Sequence, residues 1–517
     1  MKISDLHSHP SLKPYLRDKP GTRYWKKKRI VIDALMDNIL DSQSSLDQIW
    51  KVSEGAITII ALHPFEKEFG KQMILQKLAR FNKNANEALL DAVVDGSMAY
   101  HDLLDIELNL LKKHLKSGNK RVNIINKSNK QINPHAINVV LTVEGGHAFC
   151  SQNEIRNDNS AGKSDSLQKG IDRFKAFRDE HFPMFITLTH IAFNYYCNQA
   201  YALPNLMIGF PFRRKDFLPK SNGIHPKGVE LINEALEGDP NKRVLIDIKQ
   251  MSLVSRTQYY EMIKNKNIPI LASHMGVTGI SRTEIGSHIW KLLSKHNRVR
   301  VRYKTVPAYA GHTQFNPNSI NLYDEDIVTI MQSKGLIGVS MDERILGSSN
   351  SKFGEFVFPE EFETAFIGCA CSSFLNDNPT CKDEEEDNVQ LEDEGVVPVG
   401  ENDIVTERHS GGDINYLANN IIHILKVGFQ NNIDQPWKYI TIGSDYDGLI
   451  NPIDKNRTKR KSVTVELIPD LLKQLPGVLI DVASTAGIKT EISNNIGDII
   501  ECYVYKNLED FVVQHYL

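Results

Sequence analysis

Ile3-Ser4-Asp5-Leu6-His7-Ser8-His9-Pro10 begins as a short apolar run and closes on two histidines one residue apart. In an extended strand, side chains two apart share a face, so His7 and His9 present two imidazoles to one cation. The same design recurs along the chain. Runs at 56–62, 138–143, 185–189, 244–248, 269–272, 336–340 and 439–442 also read as strands, each short and rich in β-branched or apolar residues; with 3–6 they make eight. Six of the eight close on residues able to ligate a cation or move a proton. Besides the first, these are Glu144-Gly145-Gly146-His147, His190, Asp247-Ile248-Lys249-Gln250, Ser273-His274 and Ser444-Asp445-Tyr446-Asp447-Gly448. A barrel of parallel strands gathers its strand ends at one mouth, where its chemistry sits.

Between the runs lie helical stretches, such as 71–115, where Leu75, Leu78, Leu89, Leu90, Val93, Leu103, Leu104, Leu108 and Leu111 recur at helical spacing. Strand alternating with helix eight times predicts an α/β chain folded as a (β/α)8 TIM barrel. The 517 residues exceed an ordinary domain, yet such barrels reach this size with insertions, so the expectation is one domain over 1–517. Three stretches read as inserted loops. Residues 116–133 are rich in Lys and Asn without periodicity, and 298–318 mix basic, aromatic and polar residues with Pro307 and Pro317. Residues 376–403 carry the acidic runs 383–387 and 392–394 with little to bury; solvated filler is the plain reading, a lid or tether the functional one.

Apolar residues make up 41% of the chain, enough for a large core. A formal charge of -3 gives no bulk reason to expect nucleic acid or an anionic membrane, so small molecules are the expected partners. No apolar run reaches the roughly 18 residues that cross a bilayer, and His7 stands too near Met1 for an export signal before it, so a cytoplasmic enzyme is expected. Self-association is left open. The six cysteines read as reduced thiols, and Cys369-Ala370-Cys371 with Cys381 matches no standard zinc spacing. The basic clusters 26–29 and 459–461 read as solvated faces, the second also placed to attract an anionic substrate.

These residues resemble the membrane dipeptidase-like family of peptidases, within the metal-dependent amidohydrolase superfamily. The likeness is carried by His7-Ser8-His9 where the family has His-x-Asp, by Val143-Glu144-Gly145-Gly146-His147, and by Leu188-Thr189-His190 followed by Asn194. It continues through Gly223-Ile224-His225-Pro226-Lys227-Gly228 leading into Leu245-Ile246-Asp247, through Ser273-His274, through Asn321-Leu322-Tyr323-Asp324-Glu325, and through Gly443 to Gly448. The resemblance implies a TIM barrel of the metal-dependent hydrolase type. Its cofactor would be Zn2+ or another divalent metal, one or two ions, and a metal-bound hydroxide would attack a small-molecule peptide or other amide substrate. It further implies that His7 and His9 bind the first metal, Glu144 bridges, His274 belongs to the second metal, His190 polarises the carbonyl, and Asp445 orients the hydroxide and carries its proton.

Two departures stand against that pattern. Where the family has a histidine three residues after the aspartate of the fifth strand, this chain has Gln250, preceded by Lys249. Three readings stay open: Lys249 replaces the second cation with an ammonium, it is carboxylated and becomes a ligand, or it points away and a weak second metal survives. The first is preferred. The family's carboxylate-binding arginine is also missing before Asn321; Arg282 is the candidate substitute, with a surface arginine as the plain alternative. His63 can face the mouth, though local hydrogen bonds are the plainer reading; His147 reads as loop support, and His101 and His114 as helix-surface residues. A barrel that has lost catalysis and serves as a ligand-binding or scaffold protein is the competing function.

Overall fold

Eight parallel strands lie side by side in the order β1 (Asp5–Ser8), β2 (Ile57–Leu62), β4 (Ile137–Val143), β5 (Phe185–Thr187), β6 (Leu245–Asp247), β7 (Leu271–Met275), β10 (Leu336–Val339) and β12 (Ile440–Ile442). The ring closes just past β12. Ser8 pairs in parallel with Tyr446, the Asp445 N–H donates to the His7 carbonyl at 2.9 Å, and the His9 N–H donates to the Tyr446 carbonyl at 2.8 Å. The expected α/β class and (β/α)8 barrel are thus the observed ones. This computed structural model describes residues 2–16, 42–70, 86–116, 121–156, 160–202, 214–236, 242–347, 353–366, 414–448, 450–453 and 463–517. The acidic stretch 376–403, the clusters at 26–29 and 459–461, and Cys369, Cys371 and Cys381 fall outside them; Cys150, Cys197 and Cys502 are buried free thiols.

Every residue of the eight barrel strands is buried, which is why most of them read as near-continuous apolar runs, polar residues coming mainly at the ends that face the mouth. Helices cover the outer face. In the helix Tyr100–Lys116, Leu103, Leu104, Leu108 and Leu111 are buried at helical spacing. The helical stretch expected at 71–115 is broken within its described part, because Gly96 ends the helix Glu87–Asp95 in a left-handed conformation (φ 86°). Among the described residues no helix is long and apolar enough to cross a membrane.

Two stretches expected as irregular loops contain strands. Val122–Ile124 (β3) pairs in parallel with β4. Ile289–Lys295 (β8) and Arg298–Tyr303 (β9) form a hairpin, and Gly354–Val357 (β11) adds to β9, giving a three-stranded antiparallel sheet beside the barrel. The cause is local. Val299, Val301 and Tyr303 are buried while Arg298, Arg300 and Arg302 are partly exposed, a period-two pattern that outweighs the prolines further on. His296 and Asn297, both at positive φ (55° and 54°), make the two-residue turn that suits a twisted hairpin.

Candidate metal centre

The seam between the first and last strands sets the geometry of the mouth. Asp5 Oδ1 accepts the N–H groups of His7 (3.1 Å) and Ser444 (3.0 Å), and Oδ2 accepts the Ser444 hydroxyl at 2.5 Å. Beyond Ser444, Asp445 and Asp447 adopt left-handed φ of 58° and 69°, a conformation that aspartate tolerates better than most residues. The buried Asp447 carboxylate accepts from the Gln43 N–H at 2.8 Å and from Lys13 Nζ at 2.7 Å, which pins this turn. Glu144 leaves β4 just before Gly145, whose φ of 96° turns the chain; a Cβ there would meet the His147 ring at 2.3 Å.

These supports bring His7, His9, Glu144 and Asp445 together. His7 Nε2 lies 3.0 Å from His9 Nε2, 3.6 Å from Glu144 Oε1 and 3.8 Å from Asp445 Oδ1; His9 Nε2 lies 3.3 Å from both Glu144 Oε2 and Asp445 Oδ1. Donors bound at about 2.1 Å around a tetrahedral zinc stand about 3.4 Å apart. The four side chains therefore fit a cation. Behind the ring, His9 Nδ1 donates to the Ala61 carbonyl at 3.0 Å, which fixes it with Nε2 directed at the centre. Glu144 Oε1 is buried without a hydrogen-bond partner, as expected of an oxygen meant for a cation.

His274 flanks this group, its Nε2 3.8 Å from both Glu144 Oε1 and Asp445 Oδ2 and its Nδ1 2.7 Å from Ser273 Oγ. His7, Asp247 and His274 also offer ligand atoms within 4.8 Å of one another. Lys249 is buried here, its Nζ without a hydrogen bond, and Gln250 is buried with φ 68° and an unpaired Oε1. On the opposite flank stand His63, Glu66 and His190. His190 Nδ1 meets Glu66 Oε2 at 2.7 Å and its Nε2 lies 3.7 Å from Glu144 Oε2, while His63 Nδ1 lies 3.6 Å from the same Glu144 oxygen. Only Asp445 (17%) and His190 (13%) expose appreciable side-chain surface, so an approaching molecule meets these two first.

Burial and charge pull against each other throughout the cluster. Burial pushes His7 and His63 down to about 3 and holds His274 well below its usual value, so these rings are neutral. Burial also opposes charge on His9 and His190, but the carboxylates beside them prevail: Asp445 and Glu144 raise His9 to about 10, and Glu66 and Glu144 raise His190 to about 9. Burial would raise Glu144 and Glu66, yet His190 and the other imidazoles hold Glu144 well below the carboxylate range, and His190 brings Glu66 to about 2. Burial lowers Lys249 to about 8 even with Asp445, Asp247, Asp342 and Glu144 around it.

Of the residues singled out from sequence, His7, His9, Glu144, His190, His274 and Asp445 share one cluster, and Lys249 lies among its carboxylates. Arg282 is engaged elsewhere. Its guanidinium pairs with buried Asp326, donates to Thr257 Oγ1 at 3.2 Å and lies over the Tyr260 ring, which removes the free fork that a carboxylate clamp needs. His147 donates from Nε2 to the Pro64 carbonyl at 2.9 Å, bracing the loop that carries His63 and Glu66. Glu66 was not anticipated, and His63 does more than bond locally. The available signal was position, since His63-Pro64-Phe65-Glu66 closes the second strand as the other motifs with candidate ligands close theirs. A separate cavity of about 480 Å³, lined by Lys334, Trp437, Glu501 and Asp510 among others, opens at the N-terminal strand ends, a face of such barrels associated with stability.

No family model and no curated protein matches the chain. Its structural neighbours are metallopeptidases, dipeptidases and amidohydrolases. A metallo peptidase from Rhodobacter sphaeroides, liganded with a phosphinate mimic of the dipeptide L-Ala-D-Ala, is 10% identical, with 100% of this chain and 99% of that chain covered and a TM-score of 0.48. The probable dipeptidase PvdM from Pseudomonas aeruginosa is 13% identical, with 89% and 90% covered and a TM-score of 0.46. An amidohydrolase from the same organism is 10% identical, with 100% and 96% covered and a TM-score of 0.46.

Proposed function

We propose that this chain is a metal-dependent hydrolase of the dipeptidase-like type, cleaving a peptide or other amide bond of a small molecule. The observation that supports it is the set of four donors from His7, His9, Glu144 and Asp445, 3.0 to 3.8 Å apart at the mouth of a barrel. Imidazole and carboxylate donors in this number suit zinc, and the same set accepts other divalent transition ions. A cation held there supplies Lewis acidity and brings the pKa of a coordinated water to about 7.

The protein's own groups supply the rest. Asp445, at the exposed edge of the cluster, takes the proton of the attacking water on its carboxylate and returns it to the leaving amine. His190, fixed by Glu66 through Nδ1, directs Nε2 into the same space, so the carbonyl oxygen is polarised from that flank. Glu144 presents Oε1 toward His7 and His274 and Oε2 toward His9, His63 and His190, the disposition of a bridging carboxylate. Lys249 places an ammonium on the His274 side, where the resembled family keeps a cation. Because no arginine clamp is free at Arg282, N-acyl amino acids and cyclic amides belong in the search with dipeptides.

The test is metal analysis of the full-length protein purified without chelator, followed by a hydrolysis screen over those three compound classes. Bound divalent metal with turnover that chelation stops supports the reading. A protein that takes up no divalent metal would leave the ligand-binding alternative in its place.

A further inference from the structure

We infer that His63, Glu144 and His190 form a second divalent-cation seat, on the side of the mouth away from Lys249. The inference rests on the metal-dependent reading above and changes one part of it: His190 would hold a cation there, and that cation would supply the carbonyl polarisation otherwise assigned to the imidazole N–H.

Three observations carry it. His63, Glu144 and His190 offer ligand atoms within 4.8 Å of one another, with His63 Nδ1 and His190 Nε2 at 3.6 and 3.7 Å from one oxygen, Glu144 Oε2. Those two edges are close to the roughly 3.4 Å of a tetrahedral zinc site. The outer nitrogens of both rings face one buried carboxylate, Glu66, with Oε2 2.7 Å from His190 Nδ1 and 3.7 Å from His63 Nε2. A carboxylate that takes the outer N–H of a zinc-binding histidine leaves its inner nitrogen bare, and Glu66 holds His190 so, while His63 Nε2 faces the same oxygen from beyond hydrogen-bonding distance. With Nδ1 bare, His63 gives up the 3.3 Å hydrogen bond that it donates to the Glu144 carbonyl. Glu144 would then bridge two cations, Oε2 reaching the new seat and Oε1 the His7 side.

The rival seat is His7, Asp247 and His274. It is the less favourable of the two, because the Lys249 ammonium acts directly on both His7 and His274 and would repel a cation placed between them. Its carboxylate is also committed on one side, since Asp247 Oδ1 accepts the N–H groups of Lys249 and Ser273 at 3.0 Å each.

Equilibrium dialysis of the full-length protein against Zn2+, with the protein-bound metal counted, tests this. Two equivalents are expected in the wild type and one in His63→Gln, while Glu66→Gln, with circular dichroism matching the wild type, should weaken the second equivalent about 10–100-fold. His274→Gln should keep both. A single equivalent that His9→Ala removes and His63→Gln leaves in place would overturn the second seat while the hydrolase reading stands. Two equivalents in His63→Gln, or loss of the second equivalent in His274→Gln alone, would overturn it too. Absence of any bound zinc in the wild type would sink both readings together.

Discussion

Asp5 and Ser444, 439 positions apart in the chain, are joined by two hydrogen bonds: the Ser444 N–H donates to Asp5 Oδ1 at 3.0 Å and the Ser444 hydroxyl to Oδ2 at 2.5 Å. The same Oδ1 takes the His7 N–H, so one carboxyl group closes the barrel and aligns a candidate ligand on each side of the seam. Ser444→Ala leaves that buried oxygen unsatisfied. It should lower stability by about 1–3 kcal/mol in urea unfolding and weaken zinc binding, since His7 and Asp445 lose their common brace. Unchanged unfolding and unchanged affinity would refute this role for Asp5.

Asp445 is the exposed carboxylate of the cluster and lies 3.3 Å from His9 Nε2. Asp445→Asn preserves shape and one oxygen ligand but cannot carry a proton. Turnover of whichever amide the screen identifies should fall by about 10²–10⁴-fold with zinc still bound. Retention of most activity would remove the proton-transfer role.

Gly448 stands where a side chain does not fit: a Cβ would lie 2.3 Å from Asp445 Oδ1 and 2.9 Å from His9 Cδ2. Gly448→Ala should displace Asp445, with a stability cost of about 1–3 kcal/mol and a zinc affinity at least about tenfold lower. Gly477, inside the helix Ile468–Ala486 with open space around its Cβ position, is the control. Gly477→Ala should be neutral or stabilise by up to about 1 kcal/mol. Calorimetry with zinc titration distinguishes the pair, and equal effects would argue against the steric account.

Glu361 is buried, and its Oε1 accepts from the Ser252 hydroxyl at 2.5 Å and the Gly223 N–H at 2.9 Å. Burial raises its pKa to about 7. The folded protein therefore keeps a proton there that the unfolded chain releases near pH 4.5, so this contribution to stability is complete below that value and is lost as pH climbs through 7. Glu361→Gln keeps the accepting oxygen and cannot ionise. Relative to wild type it should gain stability between pH 5 and pH 8, by up to about 3 kcal/mol. Parallel urea midpoints at the two pH values would contradict the shift.

Cation removal should be visible without any substrate. Binding to the folded state alone adds about 2.7 kcal/mol when free metal is 100 times its dissociation constant, so chelation should lower the melting temperature and zinc should restore it. A melting curve indifferent to both would count against a resident metal.

Much of this was legible in the linear chain because burial on both faces makes parallel strands read as near-continuous apolar runs, and a strand's alternation makes His7 and His9 share a face. Chemistry at strand ends follows from barrel geometry, so Glu144, His190, His274 and Asp445 could be named without coordinates. Sequence spacing carries no information about contacts that cross the mouth. Glu66 gains its meaning only from His190, 124 residues away, and Arg282 loses its availability only through Asp326. Which flank of Glu144 suits a second cation was likewise decided by folding: it set a lysine beside His274 and a carboxylate behind His63, and electrostatic preference depends on distances that only the folded chain possesses.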